Sequence, residues 1–244
     1  MKEDPYLPWA TGPGEILRHG LDLLKNDSDT NRRLAMISID NAIELMIKTF
    51  LGLPKRVNGL AIPRKEYQEM AESFPKLLDG LEQHAPEKLD GVDLGTIEWY
   101  HRLRNELYHQ GNGLTVEREK VEVYAELANL LFKNLYGYEL VHSSDSSTEL
   151  LGEFMDEWVR FEANLRDLAA THHLLGQEPG SMLRAMEFLE NASVITPQHR
   201  REIDHYRRLR NEIVHGAADY KETLTRDVVD RLHQLVEKIA PSEE

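Results

Sequence analysis

A ten-residue sequence occurs twice in this 244-residue chain, at a constant offset of 106 residues. YHRLRNELYH at residues 100–109 aligns without gaps to YRRLRNEIVH at residues 206–215, and seven of the ten positions are identical. The offset is close to the length of one small domain. The repeat therefore favours a chain built from two related units, each holding its copy in a similar structure.

Hydrophobic spacing around both copies indicates helices. Ser28 or Asp29 can be the N-cap of a helix that Gly52, followed by Pro54, stops. The apolar residues between them recur at helical intervals and predict one long buried helix. No segment alternates apolar and polar residues with period two, so we expect no sheet and an all-α fold. The first fourteen residues contain three prolines and two glycines and predict an irregular arm.

The domain boundary is expected where the chain becomes small, polar and flexible, at residues 141–148. This linker separates a helical domain at residues 1–140 from a second one at residues 149–244. Both halves are predicted to end in the same way, with an arginine-rich helix, a turn that contains glycine and a terminal amphipathic helix.

Composition narrows the class of protein. The chain lacks cysteine, so disulfides, thiolate zinc sites and cysteine nucleophiles are excluded, and neither a metal site nor a cofactor is expected. We find no signal-like segment and no apolar run of membrane-spanning length, which predicts a cytoplasmic protein without a membrane partner. A net charge of −14 argues against general coating of nucleic acid.

The charge around the second copy of the repeat differs in sign from the net charge of the whole chain. Residues 199–210 hold five arginines against two acidic residues, so RNA binding, if it occurs, is expected to be confined to one cleft; the simpler alternative is a solvated helix face. The predicted RNA-binding residues are Arg102, Arg200, Arg201, Arg207 and Arg208.

Most of the identical positions in the repeat are polar, whereas a purely structural repeat would conserve its apolar pattern instead. Arginine supplies a planar cationic fork that suits phosphate, and histidine exchanges protons near neutral pH. Two copies would supply two histidines and two arginines, enough for metal-independent RNA cleavage by acid–base catalysis with stabilisation of the phosphorane. Between the second arginine and the histidine of each copy, both ends included, four polar residues are identical. They are Arg104, Asn105, Glu106 and His109 in the first copy, and Arg210, Asn211, Glu212 and His215 in the second.

The spacing Arg104-x4-His109, repeated as Arg210-x4-His215, resembles the R-x4-H signature of HEPN domains. The helix NAIELMIKTFL, with Glu44, is also similar to the second-helix pattern of many HEPN proteins. The resemblance implies tandem helical bundles that form an intramolecular pseudo-dimer with one composite ribonuclease site. It implies that Arg104, His109, Arg210 and His215 are catalytic, that Asn105, Asn211, Glu106 and Glu212 support them, and that RNA and an antitoxin or defence-system protein are partners.

In one HEPN subgroup a tyrosine follows the histidine by two residues, whereas this chain has Gly111 and Ala217 there, so modification at that position is not expected. One alternative is an inactive HEPN scaffold that binds RNA, a nucleotide or a partner protein. Another is a structural role, in which asparagine and histidine cap the helix and arginine and glutamate form surface ion pairs. A homodimer is also left open.

Overall fold

The computed structural model describes residues 7–109, 115–138, 140, 146–171 and 182–240. All regular structure within these residues is helical, with twelve α-helices, one 3₁₀ turn and no β-strand. The all-α prediction is therefore confirmed. The chain divides into two compact units, Met1–Ser143 and Ser144–Glu244, and this division falls within the segment predicted as a linker.

Seven helices build the first unit within its described residues. They are α1 (Leu7–Lys25), α2 (Asp29–Leu51), α3 (Lys55–Asn58), α4 (Arg64–Met70), α5 (Phe74–His84), α6 (Leu94–His109) and α7 (Arg118–Tyr136), with the 3₁₀ turn at Pro86–Lys88. α2 is central, since it packs against α1, α5, α6 and α7. α6 carries the first copy of the repeat.

The long helix α2 ends at Gly52 as predicted, and of the two N-cap candidates Ser28 is the cap. The Oγ of Ser28 accepts the N–H of Asn31 at 3.1 Å, and the N–H of Gly52 is donated to the carbonyl of Lys48 at 3.1 Å. Most of its apolar residues are buried, as their spacing requires. One carboxylate, that of Asp40, lies fully buried among them.

The expectation of an irregular N-terminal arm is wrong from Leu7 onward, because α1 begins there. Pro8 lies in the first turn, where a missing N–H does no harm. Pro13 lies inside the helix and is buried. A Cβ at Gly14 would lie 3.4 Å from ring carbons of Phe132, so close packing holds this segment helical despite its poor helix propensity.

Five helices build the second unit within its described residues. They are α8 (Ser146–Thr171), α9 (Met182–Asn191), α10 (Pro197–Val214), α11 (Tyr220–Thr223) and α12 (Arg226–Lys238). α8 packs against α9, α11 and α12, and α10 contacts α9 and α12. α10 carries the second copy of the repeat and begins after Thr196, whose Oγ1 accepts the N–H of His199 at 3.1 Å.

Candidate functional site

Arg104, the arginine of the first motif, is held against α2. Its Nε lies 2.7 Å from Oδ2 of the buried Asp40. Its two terminal nitrogens donate to amide oxygens, Nη1 to Oδ1 of Asn105 and Nη2 to Oδ1 of Asn41, each at 2.9 Å. The Arg104 side chain is 16% exposed and Asn41 is exposed, so the guanidinium meets the surface beside Asn41.

Asp40 is the centre of this polar cluster. The hydroxyl of Tyr124 donates to Oδ1 of Asp40 at 2.8 Å, and Nδ1 of His101 lies 3.0 Å from Oδ2. Burial, reinforced by the Asp40 charge, raises the pKa of Tyr124 well above its ordinary value, so its hydroxyl stays protonated and remains a donor. The rings of Phe74 and Tyr100 stack on His101 and Tyr124, with centroids 4.1 and 4.4 Å apart, and fix both partners of the carboxylate.

In the second copy, Arg210 makes the same local contact as Arg104. Its Nη1 donates to Oδ1 of Asn211 at 3.3 Å, which matches the bond from Arg104 to Asn105. The asparagine oxygen is thereby occupied and its NH₂ group is left as a donor next to a cation. Arg210 is only 4% exposed. It is therefore more deeply buried than we expect from the sequence, which predicts an arginine that contacts phosphate.

His215 lies at the C-cap of α10 and is exposed. The N–H of Ala217 bonds the carbonyl of Glu212 at 2.7 Å, and that of Gly216 bonds the carbonyl of Ile213 at 3.0 Å. With Gly216 at φ +66°, this is the Schellman arrangement, which ends the helix immediately after the histidine. The motif histidine is therefore presented to solvent at a defined helix end.

His109 is the last residue of α6. Its side chain lies outside the described part of the structure, as do Gly111 and the rest of residues 110–114. The backbone of both histidines therefore lies at a motif-helix C-terminus. The composite site that would join them stays a prediction.

Replacing Gly216 with alanine is expected to lower the free energy of unfolding of the second unit by about 1 kcal/mol, because φ +66° is unfavourable for a residue with a Cβ. Chemical denaturation checks this value. Gly137 ends α7 at φ +83° with open space around it. Gly137→Ala is therefore a matched control, which measures the cost of a Cβ at positive φ at a helix end away from the motif. An unchanged midpoint for Gly216→Ala would contradict the assigned helix end.

Three of the five arginines at residues 199–210 contact Asp204 of the same helix, α10. Arg200 and Arg207 lie 3.5 and 3.4 Å from its carboxylate, and the Nε of Arg208 donates to its backbone carbonyl at 3.2 Å. Arg200 also pairs with Glu190 at 3.5 Å. These three predicted RNA-binding residues thus make most of their contacts within their own helix. Such contacts are expected if the arginines form a solvated helix face, which is the alternative to RNA binding.

The remaining predicted residues are on the surface. Arg102 pairs with Glu98 of its own helix, with Nη2 and Oε1 2.5 Å apart. Arg201 is exposed and forms no ion pair within the described residues. The predicted supporting residues Glu106 and Glu212 are both exposed.

Sequence reasoning missed Asp40 and Asn41, which hold Arg104, and His101 and Tyr124, which hold Asp40. One signal was present, because Asp40 interrupts an otherwise apolar stretch of α2, and a carboxylate is rarely buried there without partners. Its partners lie 61 and 84 residues away in the chain. No local spacing could identify them.

Neither a metal centre nor a membrane span is formed by the part of the chain that the structure describes. No three histidine, aspartate or glutamate side chains converge there as a ligand set. No described helix is both long and apolar enough to cross a bilayer.

Comparison of the chain with models of protein families, with characterised proteins and with solved structures finds no significant match. The resemblance of the two motifs to HEPN domains therefore stays a prediction.

Proposed function

We propose that this chain is a metal-independent endoribonuclease of the HEPN type, with a site built from both R-x4-H motifs and a role in toxin–antitoxin or antiviral defence. One observation carries the proposal. In both copies the motif arginine donates from Nη1 to the asparagine that follows it, on a helix whose C-terminus bears the motif histidine. Two units thus repeat one arrangement of polar side chains.

The arrangement supplies the donors that a phosphate needs. A guanidinium has five N–H groups, and each terminal nitrogen of Arg104 carries a second N–H beyond the one given to an asparagine. The NH₂ group of Asn105 adds further donors beside it. A phosphate oxygen is well matched by such a set, because charge-assisted hydrogen bonds to arginine are short and strong.

Cleavage follows from these groups in one displacement. One of His109 and His215 accepts the proton of the 2′-hydroxyl, and the 2′-oxygen forms a bond to the adjacent phosphorus. The bond from phosphorus to the 5′-oxygen breaks, and the other histidine protonates that leaving oxygen. Arg104 and Arg210 stabilise the charge on the phosphorane, and the products carry a 2′,3′-cyclic phosphate and a 5′-hydroxyl.

The burial of the motif arginines favours a second candidate function. Arg210 is 4% exposed, and Arg104 is tied to the buried Asp40. Arginines used this way stabilise the interior of a bundle. An inactive HEPN scaffold that binds RNA, a nucleotide or a partner protein would retain such residues without catalysing cleavage.

RNA cleavage in the presence of EDTA separates the two functions. The full chain is incubated with varied single-stranded and folded RNAs, and the ends of the products are determined. We expect cleavage that EDTA does not reduce, with 5′ ends that a kinase labels directly and 3′ ends that ligate only after the cyclic phosphate is opened and removed. Loss of cleavage in EDTA, or 5′-phosphate ends, would contradict the nuclease proposal, and intact RNA throughout would favour the scaffold.

A further inference from the structure

A groove between α10 and α12 is lined by neither the arginine nor the histidine of the second motif. It has a volume of about 510 Å³, within the range of small-molecule sites. Arg201, on the α10 side, precedes the motif histidine by fourteen residues, which is about 21 Å along a helix. The residues that define the groove are Arg201, His205 and Tyr206 on α10, and Arg231, Leu235 and Lys238 on α12.

The charge of this groove is opposite to that of its unit. Arg201, Arg231 and Lys238 face one carboxylate on the lining, that of Glu202, and Asp227 pairs with Arg231, which gives a formal balance of +1. Residues 144–244 carry 12 Lys and Arg against 20 Asp and Glu, a balance of −8. The groove is thus locally positive within an acidic unit, which favours an anionic ligand there.

Two of the cations are available to a ligand. Arg231 pairs with Asp227, with Nη2 and Oδ2 3.0 Å apart. Arg201 and Lys238 form no ion pair within the described residues, and they lie on the two helices that border the groove. An anion between these helices would therefore gain a cation from each wall.

The lining also has a place for an apolar ring. Tyr206 and Leu235 bring apolar surface into the groove, and the exposed His205 ring adjoins Tyr206 with centroids 5.3 Å apart. Gln234, also on the lining, offers an amide that both donates and accepts. Cations at the walls and aromatic surface beside them match a phosphate ester that carries a heterocycle.

We propose that the groove between α10 and α12 binds a nucleotide, with Arg201 and Lys238 on its phosphates and the base against His205 and Tyr206. The assignment does not depend on ribonuclease activity, because none of its residues is a motif arginine or histidine. The nucleotide is either free or one unit of an RNA strand, and both sources present the same chemistry to the groove.

Calorimetric titration of the full chain tests the proposal with adenosine, AMP, ADP and ATP at constant ionic strength. We expect affinity to rise with the number of phosphates and to fall with added salt. The double variant Arg201→Gln/Lys238→Gln should weaken ATP binding about tenfold or more. The matched control is Arg64→Gln/Lys65→Gln, which removes an exposed arginine and an exposed lysine from the first unit, and it should leave ATP affinity unchanged.

A non-hydrolysable single-stranded oligoribonucleotide distinguishes the two sources. Displacement of ATP by the oligonucleotide, with loss of its own binding in the double variant, would identify a strand as the ligand; no displacement would identify a free nucleotide. The proposal is overturned if adenosine and ATP bind equally, if no nucleotide binds, or if the double variant binds ATP as the wild type does. None of these outcomes depends on whether the chain cleaves RNA.

Discussion

Replacing Asp40 with alanine is expected to lower the free energy of unfolding of the first unit by about 3 kcal/mol. The substitution leaves the Arg104 guanidinium, the Tyr124 hydroxyl and one ring nitrogen of His101 without the carboxylate that they contact. The Tyr124 hydroxyl is fully buried, and the Arg104 and His101 side chains are only 16% and 15% exposed, so these groups regain little water and retain most of their desolvation penalty. Chemical denaturation of the full chain, followed by circular dichroism, measures the loss.

Three control variants separate the effect of the buried charge from other effects. Asp40→Asn keeps the volume and one acceptor, so its loss should be smaller than that of Asp40→Ala. Tyr124→Phe removes a single donor and should cost about 1 kcal/mol. Glu44→Ala breaks the pair with Lys48 one turn further along α2, where the two side chains are 28% and 35% exposed, and should cost about 0.5 kcal/mol or less. A loss for Asp40→Ala no greater than that for Glu44→Ala would show that the buried cluster does not stabilise the unit.

His215→Ala is expected to lower the rate of RNA cleavage at least about 100-fold, and His109→Ala by a similar factor. The physical reason is that one histidine removes the 2′-proton and the other protonates the leaving oxygen, so neither can replace the other. Single-turnover cleavage of one RNA, measured in EDTA, gives the rate for each variant. The double variant should be little slower than either single variant, since the two groups act in one step.

Matched controls for the histidine variants exist in both units. His84 contacts Glu66 at 2.8 Å in the first unit, and His233 contacts Glu157 at 2.9 Å in the second, and neither belongs to a motif. His84→Ala and His233→Ala should retain wild-type rates. Equal cleavage by the wild type and all five variants would show that any nuclease activity lies elsewhere in the preparation.

The helices could be predicted from sequence wherever local rules determine the structure. Ser28 and Gly52 bound α2 because capping depends on residues within one turn. The same rules fail at Pro13, which lies inside α1 although proline disfavours a helix interior. Tertiary packing there outweighs local propensity, since a Cβ at Gly14 would meet Leu140 and Phe132, more than one hundred residues away in the chain.

The residues of the candidate site also fall into those that the sequence can predict and those that it cannot. Arg104 and Arg210 could be identified because a sequence that occurs twice is visible without a structure. Asp40 could not, because its importance comes from contacts with α6 and α7 that no spacing along α2 indicates. The ion pairs of Arg200 and Arg207 with Asp204 required coordinates too, since a run of arginines does not show which carboxylate each one contacts.

Asp40 also favours one register of α2. The buried apolar residues of this helix range in size from Ala35 and Ala42 to Phe50, so a slide of one turn along α6 and α7 would already disturb their packing. Such a slide would move the carboxylate about 5.4 Å along the helix axis, away from Arg104 and Tyr124, and leave three polar groups buried without partners. A single charged residue thus adds its own penalty for misalignment to the one that the apolar packing imposes.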